Sequence, residues 1–171
     1  MADRTPLYPQ HLASHAHMVN FHGWDMPLHY GSSLKEHQTV RTDAGMFDVS
    51  HMSVLDVTGE GSAAFLRTLL TNDVALLKPG KALYSCMCNE NGGVLDDLIV
   101  YQRAPLNYRL ILNSATHDAD LAWIKQQSQG LAVHLNTPLD LAIIAIQGPQ
   151  AIARLCTLLP ESETHAICSL K

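Results

Sequence analysis

Asn89-Glu90-Asn91-Gly92-Gly93-Val94-Leu95-Asp96-Asp97-Leu98-Ile99-Val100-Tyr101 is the stretch that decides how this chain folds. Its first five residues concentrate the asparagines and glycines that tight turns favour, and the next eight are mostly branched and apolar. The pattern predicts a strand from Val94 to Gln102, with Ala82–Cys88 as the hairpin partner before the turn. Period two sends Asp96 and Asp97 to opposite faces of that strand, one into the domain or a cleft and the other to solvent. A carboxylate beside Val94, Leu95, Leu98 and Ile99 keeps its charge only with hydrogen-bond donors or a cation nearby. So placed, it can orient an amine or exchange a proton with it. A simple turn-capping pair is the plainer reading of the same pattern.

Working outward, residues 51–58 alternate as a strand, with Met52, Val54 and Asp56 on one side. Gly59 and Gly61 end it, and Ser62 opens a helix that offers Ala63, Ala64, Leu66, Leu69 and Leu70 for burial. Beyond the hairpin, Tyr108–Leu112 continues the sheet, His117–Gln129 reads as a helix and Leu131–Leu135 as a strand. A helix on either side of an antiparallel run predicts an α+β chain whose middle domain is a ferredoxin-like split β-α-β layer. Asn72, Asn113 and Tyr101 are neutral polar groups beside sheet elements, able to hydrogen-bond a heterocyclic amide edge. Tyr84 and Met52 are suitable walls for a flat ring. Core and edge packing is the plainer reading of each of them when taken alone.

The flanks are less regular. Pro6 to His17 reads as a short helix, and Phe21 to Tyr30 as an irregular stretch broken at Gly23-Trp24, Met26-Pro27 and Tyr30-Gly31. Ser33 with Glu36 is a capping-box signal for a helix to about Ala44, stopped by Gly45. Leu139 to Ile146 reads as an apolar strand, Gln147-Gly148-Pro149 as a break, and the next residues as a helix to about Leu159. Ala166 to Leu170 begins a further strand whose backbone groups need a partner, so the chain is expected to be a fragment.

Composition narrows the function. Of 171 residues, 11 are Lys or Arg and 16 Asp or Glu, a formal charge of −5 with no basic stripe, so nucleic acid is not an expected partner. The ten histidines offer only His11 and His15 as a same-face pair, with no acid or cysteine spaced to complete a metal site, and no metal is expected. Cys86, Cys88, Cys156 and Cys168 lack CxxC spacing; Cys86 and Cys88 share a strand face, which fits core packing better than a disulfide. Ser50-His51 lacks a GxSxG elbow, and Gly59-Glu60-Gly61 lacks a dinucleotide or phosphate-loop pattern. The first residues carry no basic, then apolar, leader, and no apolar run reaches about 18 residues, so a cytoplasmic, membrane-free location is the expectation.

The sequence resembles the aminomethyltransferase family, the T-proteins of the glycine cleavage system. The resemblance rests on residues 18–27 (MVNFHGWDMP), 45–52 (GMFDVSHM), 70–74 (LTNDV), the hairpin stretch 89–101, 113–115 (NSA) and 141–149 (LAIIAIQGP). It implies transfer of a one-carbon unit from the aminomethylated dihydrolipoyl arm of H-protein to tetrahydrofolate, with release of ammonia. It further implies Asp97 as the essential acid, Asp96 as its outward neighbour, and Met52, Tyr84, Ile99 and Tyr101 as folate-lining positions, with Asn113 near the pocket. Asp56 stands where some relatives are apolar. The family fold implies residues 1–50 and 139–171 as two pieces of an incomplete first domain, and 51–138 as domain two. Family members are about twice as long, so this chain alone is expected to be nearly inactive and to self-associate through its cut edge. Two alternatives share the folate slot: the tetrahydrofolate module of a demethylating dehydrogenase, and a non-transferase folate-binding protein of iron-sulfur maintenance.

Overall fold

The computed structural model describes residues 2–160, and the expected strand at 166–170 lies outside them. The chain divides into two compact units, one of residues 1–51 with 142–171 and one of residues 52–141.

The first unit begins with β1 (Asp3–Arg4), α1 (Tyr8–Ala13), β2 (His17–Phe21) and β3 (Trp24–His29). β3 is the centre of a three-stranded sheet, antiparallel to β2 and parallel to β1. The stretch expected to be irregular is therefore largely a hairpin. Its two-residue turn, His22-Gly23, has φ of 49° and 91°, both in the left-handed region that a two-residue hairpin turn needs. The glycine supplies one of these at no steric cost. The histidine hides the other from sequence reading, and a register shift between His17 and Met18 absorbs the irregularity next to Pro27.

α2 (Ser33–Thr42) starts one residue earlier than the capping signal implied: Ser32 is the cap, and its Oγ accepts from the Lys35 amide at 3.4 Å. Glu36 reaches back, its Oε1 accepting from the amides of Ser32 at 3.3 Å and Tyr30 at 2.8 Å. The reciprocal logic of the box survives with one extra residue. β4 (Gly45–Asp48) follows.

A buried polar network joins three segments of this unit. His11 Nε2 lies 2.8 Å from Asp48 Oδ2, and His11 Nδ1 lies 2.7 Å from the Tyr30 hydroxyl. Asp48 also accepts from the Thr5 hydroxyl at 2.5 Å and the Ser50 amide at 2.9 Å. Burial pushes the Asp48 carboxyl up, but the hydrogen bonds from Ser50, Thr5 and His11 outweigh it and hold the group below its usual range.

The second unit runs β5 (Ser53–Thr58), α3 (Ser62–Leu69), a 3-10 turn at Val74–Leu76, β6 (Ala82–Cys88), β7 (Val94–Ala104), β8 (Asn107–Leu112), α4 (His117–Gln127) and β9 (His134–Asn136). Its five strands lie in the order β6-β7-β8-β5-β9, every neighbouring pair antiparallel. β8, α4 and β9 form the expected split β-α-β unit, with β5 between the two strands. On the other side two strands separate β5 from β6, so the ferredoxin-like layer is one strand wider. Gly59 lets the chain turn beside the last strand: its φ is +112°, and a Cβ there would meet the Ala132 carbonyl oxygen at 2.5 Å.

The core of this unit is one cluster on one face of the sheet. Leu55, Val57, Leu98, Val100, Leu110 and Leu112 meet Phe65, Leu66 and Leu69 of α3 and Ile124 of α4. Alternation along β7 and β8 puts their core residues at every second position, which fixes the register, because a one-residue slip would expose all of them. The chain returns to the first unit through β10 (Ile144–Gln147), antiparallel to β4, and α5 (Ala151–Leu158). Phe65 is 1% exposed. Phe65→Ala is expected to lower the unfolding free energy by about 3–5 kcal/mol, read from urea denaturation at pH 7.

Candidate functional site

The face of the five-stranded sheet opposite α3 and α4 gathers most of the residues that the sequence singled out. Leu98 and Val100 turn into the core, so Asp97, Ile99 and Tyr101 of β7 turn to the other face. Residues directly opposite in an antiparallel pair share a face. The register pairs Cys86 with Asp97, Tyr84 with Ile99, and Ala82 with Tyr101. It continues across the sheet from Ile99 to Ile111 and on to Val54, and from Tyr101 to Arg109 and on to Asp56. Met52 directly precedes β5 and is half-buried, in alternation with Val54. The result is a strip of apolar and aromatic side chains with a carboxylate at one end. Tyr84 is 60% and Tyr101 40% exposed, so both rings are open to a ligand.

The charges on this face are unevenly matched. Asp56 and Arg109 make a bidentate pair, with Nε and Nη2 donating at 2.7 and 2.8 Å. The odd acid of the Met52 side is thus neutralised by the residue across the ladder. Arg103 lies 3.7 Å from the same carboxylate. Among the described residues no cationic side chain pairs with Asp97. Its carboxylate, as hydrogen-bond acceptor, is the largest cause that raises the Tyr84 phenol above its ordinary value.

Asp96 occupies the opposite face, as alternation requires, but it is not turned outward to solvent. Thr116 Oγ1 donates to its Oδ2 at 2.7 Å and Asn113 Nδ2 to its Oδ1 at 3.0 Å. The same Asn113 nitrogen donates to the Asp97 carbonyl oxygen at 3.0 Å. The Asn113 amide is therefore committed to β7. Asp120, on α4 and 2% exposed, completes the cluster. Burial, then hydrogen bonding to Asp96, push its carboxyl up to about 7. Asp96 feels burial too, but bonds from Thr116, Asp120 and Asn113 bring it below its usual value. Two carboxyls in contact without a cation retain a proton between them.

The other marked residues fall elsewhere. Asn72 braces β6, donating from Nδ2 to the Tyr84 carbonyl oxygen at 3.1 Å. Cys86 and Cys88 do not enter the core; Ser85 and Met87 take those inward positions. His11 is tied to Asp48 and Tyr30 instead of a ligating partner at His15. A cavity of about 310 Å³ in the first unit, lined by Tyr30, Val40, Met46, Phe47 and Asp48 among others, holds none of the residues expected to line a folate site. We place the candidate site on the sheet face and not there, because the sheet face unites an unpaired carboxylate with open aromatic rings.

Against this geometry, a family model described as the GCVT N-terminal domain matches residues 7–167. The chain belongs to that family. It is 58% identical over 171 residues to proteins named aminomethyltransferase from the Corby and Paris strains of Legionella pneumophila, covering 99% of this chain and 48% of each relative. A solved structure, the glycine cleavage system aminomethyltransferase T from Bartonella henselae, matches with a TM-score of 0.88 at 39% identity, over 95% of this chain and 45% of that one. The chain spans about half the length of the curated relatives it matches.

Sequence reading missed three residues of this member's cluster: Arg109, Thr116 and Asp120. Arg109 was findable, since it lies opposite Asp56 once the β5–β8 register is known. Asp120 carried no signal, because an acid in the first turn of a helix is favourable on the surface and ordinary there.

The proton on Asp120 makes stability depend on pH. The unfolded carboxyl loses its proton near pH 4, and the folded one holds it to about 7, so the unfolded state binds fewer protons in between. The stabilising effect of that proton is complete below about pH 4 and is lost as pH rises through about 7. Asp120→Asn keeps a donor toward Asp96 and does not titrate. Thermal melts should show the variant more stable than the parent at pH 8, with the gap closing toward pH 4.5. A gap independent of pH would mean that Asp120 ionises like an ordinary surface acid.

Proposed function

We propose that this chain is the folate-facing part of an aminomethyltransferase of the glycine cleavage system. The observation that carries this reading is the single sheet face shared by Asp97, Ile99, Tyr101 and Tyr84 in a member of the GCVT N-terminal domain family. Tetrahydrofolate would supply the nitrogens that accept the one-carbon unit. The residues present fit it: the strip is apolar and flat enough for a pterin ring, and it ends in a carboxylate able to meet a polar ring edge.

The roles of the side chains follow from that arrangement. Tyr84 and Tyr101 hold the ring against Ile99, and Met52 contributes to the slot at the β5 end. Asp97 orients the reacting nitrogen and stabilises positive charge as it develops on the transferred carbon. Because no cationic side chain among the described residues pairs with it, its field is available to the substrate. The one-carbon donor would be the aminomethyl group on the dihydrolipoyl arm of H-protein: its carbon would bond to two folate nitrogens as its bonds to the amine and to the arm's sulfur break, releasing ammonia and the free dihydrolipoyl thiol. Asn113 acts behind the slot, through Asp97, and not on the ring. In this reading residues 52–141 belong to domain two and the two flanking segments to domain one, the protein works in the cytoplasm, and the exposed apolar side chains Leu28, Met46 and Phe47 favour self-association of the isolated chain.

The test uses a chain extended to the length of the relatives beside this one. Asp97→Asn should leave the melting temperature nearly unchanged, and should slow ammonia release from aminomethylated H-protein by about 100-fold or more. Equal turnover by variant and parent removes Asp97 from the mechanism. Folate binding without any discharge of H-protein favours a non-transferase folate-binding protein.

A further inference from the structure

Behind the candidate acid lies a chain of polar groups that is half-buried at Asp96 and Asn113 and fully buried at Asp120. It runs from Asp120 on α4 to Asp96 on β7, from Asp96 to the Asn113 amide at 3.0 Å, and from that amide to the Asp97 carbonyl oxygen at 3.0 Å. Asp120 Oδ2 is buried and has no hydrogen-bond partner. A buried acceptor left that way is costly, and a proton on the carboxyl gives it a donor that Asp96, its hydrogen-bonded neighbour, can accept.

We propose that Asp120 is a positioning residue for Asp97: its carboxyl, hydrogen-bonded to Asp96, holds the Asp96–Asn113 grip that fixes the β7 backbone at Asp97. The inference rests on the reading of Asp97 as the folate-site acid. Without the shared proton, Asp96 and Asp120 repel as like charges in a buried site. Asp96 then withdraws from Asn113, and the amide that also holds the Asp97 carbonyl loses its anchor. Asp96 from β7 is the charged group acting on Asp120, Thr116 at the start of α4 is the neutral one, and Asp118 on the same helix is exposed. The Asp97 side chain, on the far face of the sheet, is thereby aimed by a proton it never touches.

Heteronuclear NMR of this chain tests the coupling directly. In the parent, the Asp97 carbonyl carbon and the Leu98 amide should titrate with a midpoint of about 7. In Asp120→Asn both signals should stay near their low-pH positions. Thr116→Val, which keeps both acids and removes a donor that favours ionisation, should move the midpoint upward; it serves as the second variant if Asp120→Asn does not fold. Signals that do not titrate near neutrality, or that titrate equally in Asp120→Asn, overturn the inference.

Tetrahydrofolate added to the same samples separates the two ideas. Affinity for the parent should fall about fivefold between pH 6 and pH 8.5 relative to Asp120→Asn. Folate binding with the same pH dependence in both proteins overturns the positioning role. An intact NMR coupling with no folate bound at either pH, by this chain or by one extended to the length of the relatives, upholds the coupling of Asp120 to Asp97 and counts against the folate reading of the site.

Discussion

Consecutive side chains of a β-strand point to opposite faces, and in β7 that constraint divides two adjacent acids between two environments. Leu98 and Val100 must enter the core, so Asp97 is forced onto the open face and Asp96 onto the helix side. Everything built around β7 answers one of these placements. On the open face, Ile99 follows Asp97 on the same strand and Tyr84 faces Ile99 from β6, and no cationic side chain among the described residues pairs with the carboxylate. On the helix side the buried charge has to be satisfied locally, and Thr116, Asn113 and Asp120 supply the partners.

The two acids of β7 illustrate how burial decides chemistry more than residue type does. Asp96 is hydrogen-bonded into fixity and held ionised, while its neighbour across the helix contact, Asp120, is pushed to about 7. Asp56 takes a third solution, a bidentate arginine across the ladder. In the other unit Asp48 takes a fourth, a ring of neutral donors from Thr5, His11 and Ser50. Of these carboxylates only Asp97 is left with neither a saturating set of donors nor an ion pair among the described residues, and this fits a group kept for a ligand.

Local signals located most of the elements. The Asn89–Gly93 turn and the alternation after it were strong enough to place β6 and β7 almost to the residue. The helices after Ser62 and His117 were equally plain. The β2–β3 hairpin was not, because its turn begins with His22 in a left-handed conformation and its second strand contains Pro27, both of which read as interruptions. The cap of α2 slipped by one residue because Glu36 bridges to two amides, not to one. Cys86 and Cys88 were placed on one face correctly but on the wrong one: pairing of β6 with β7 turns Ser85 and Met87 inward, and a single strand of mixed composition does not carry that choice.

The sequence by itself determined the α+β class, the order of elements and the separation of Asp96 from Asp97, because turn chemistry and residue period act over a few positions. It also carried the motifs that tie the chain to its family. Only the tertiary structure decided which acid faces the open strip, that two strands separate β5 from β6, and that Asp120 meets Asp96. Those outcomes depend on pairing between segments far apart in the chain, from β5 to β8 and from β7 to α4. Register and burial there are set by the whole core at once, and no local pattern specifies them.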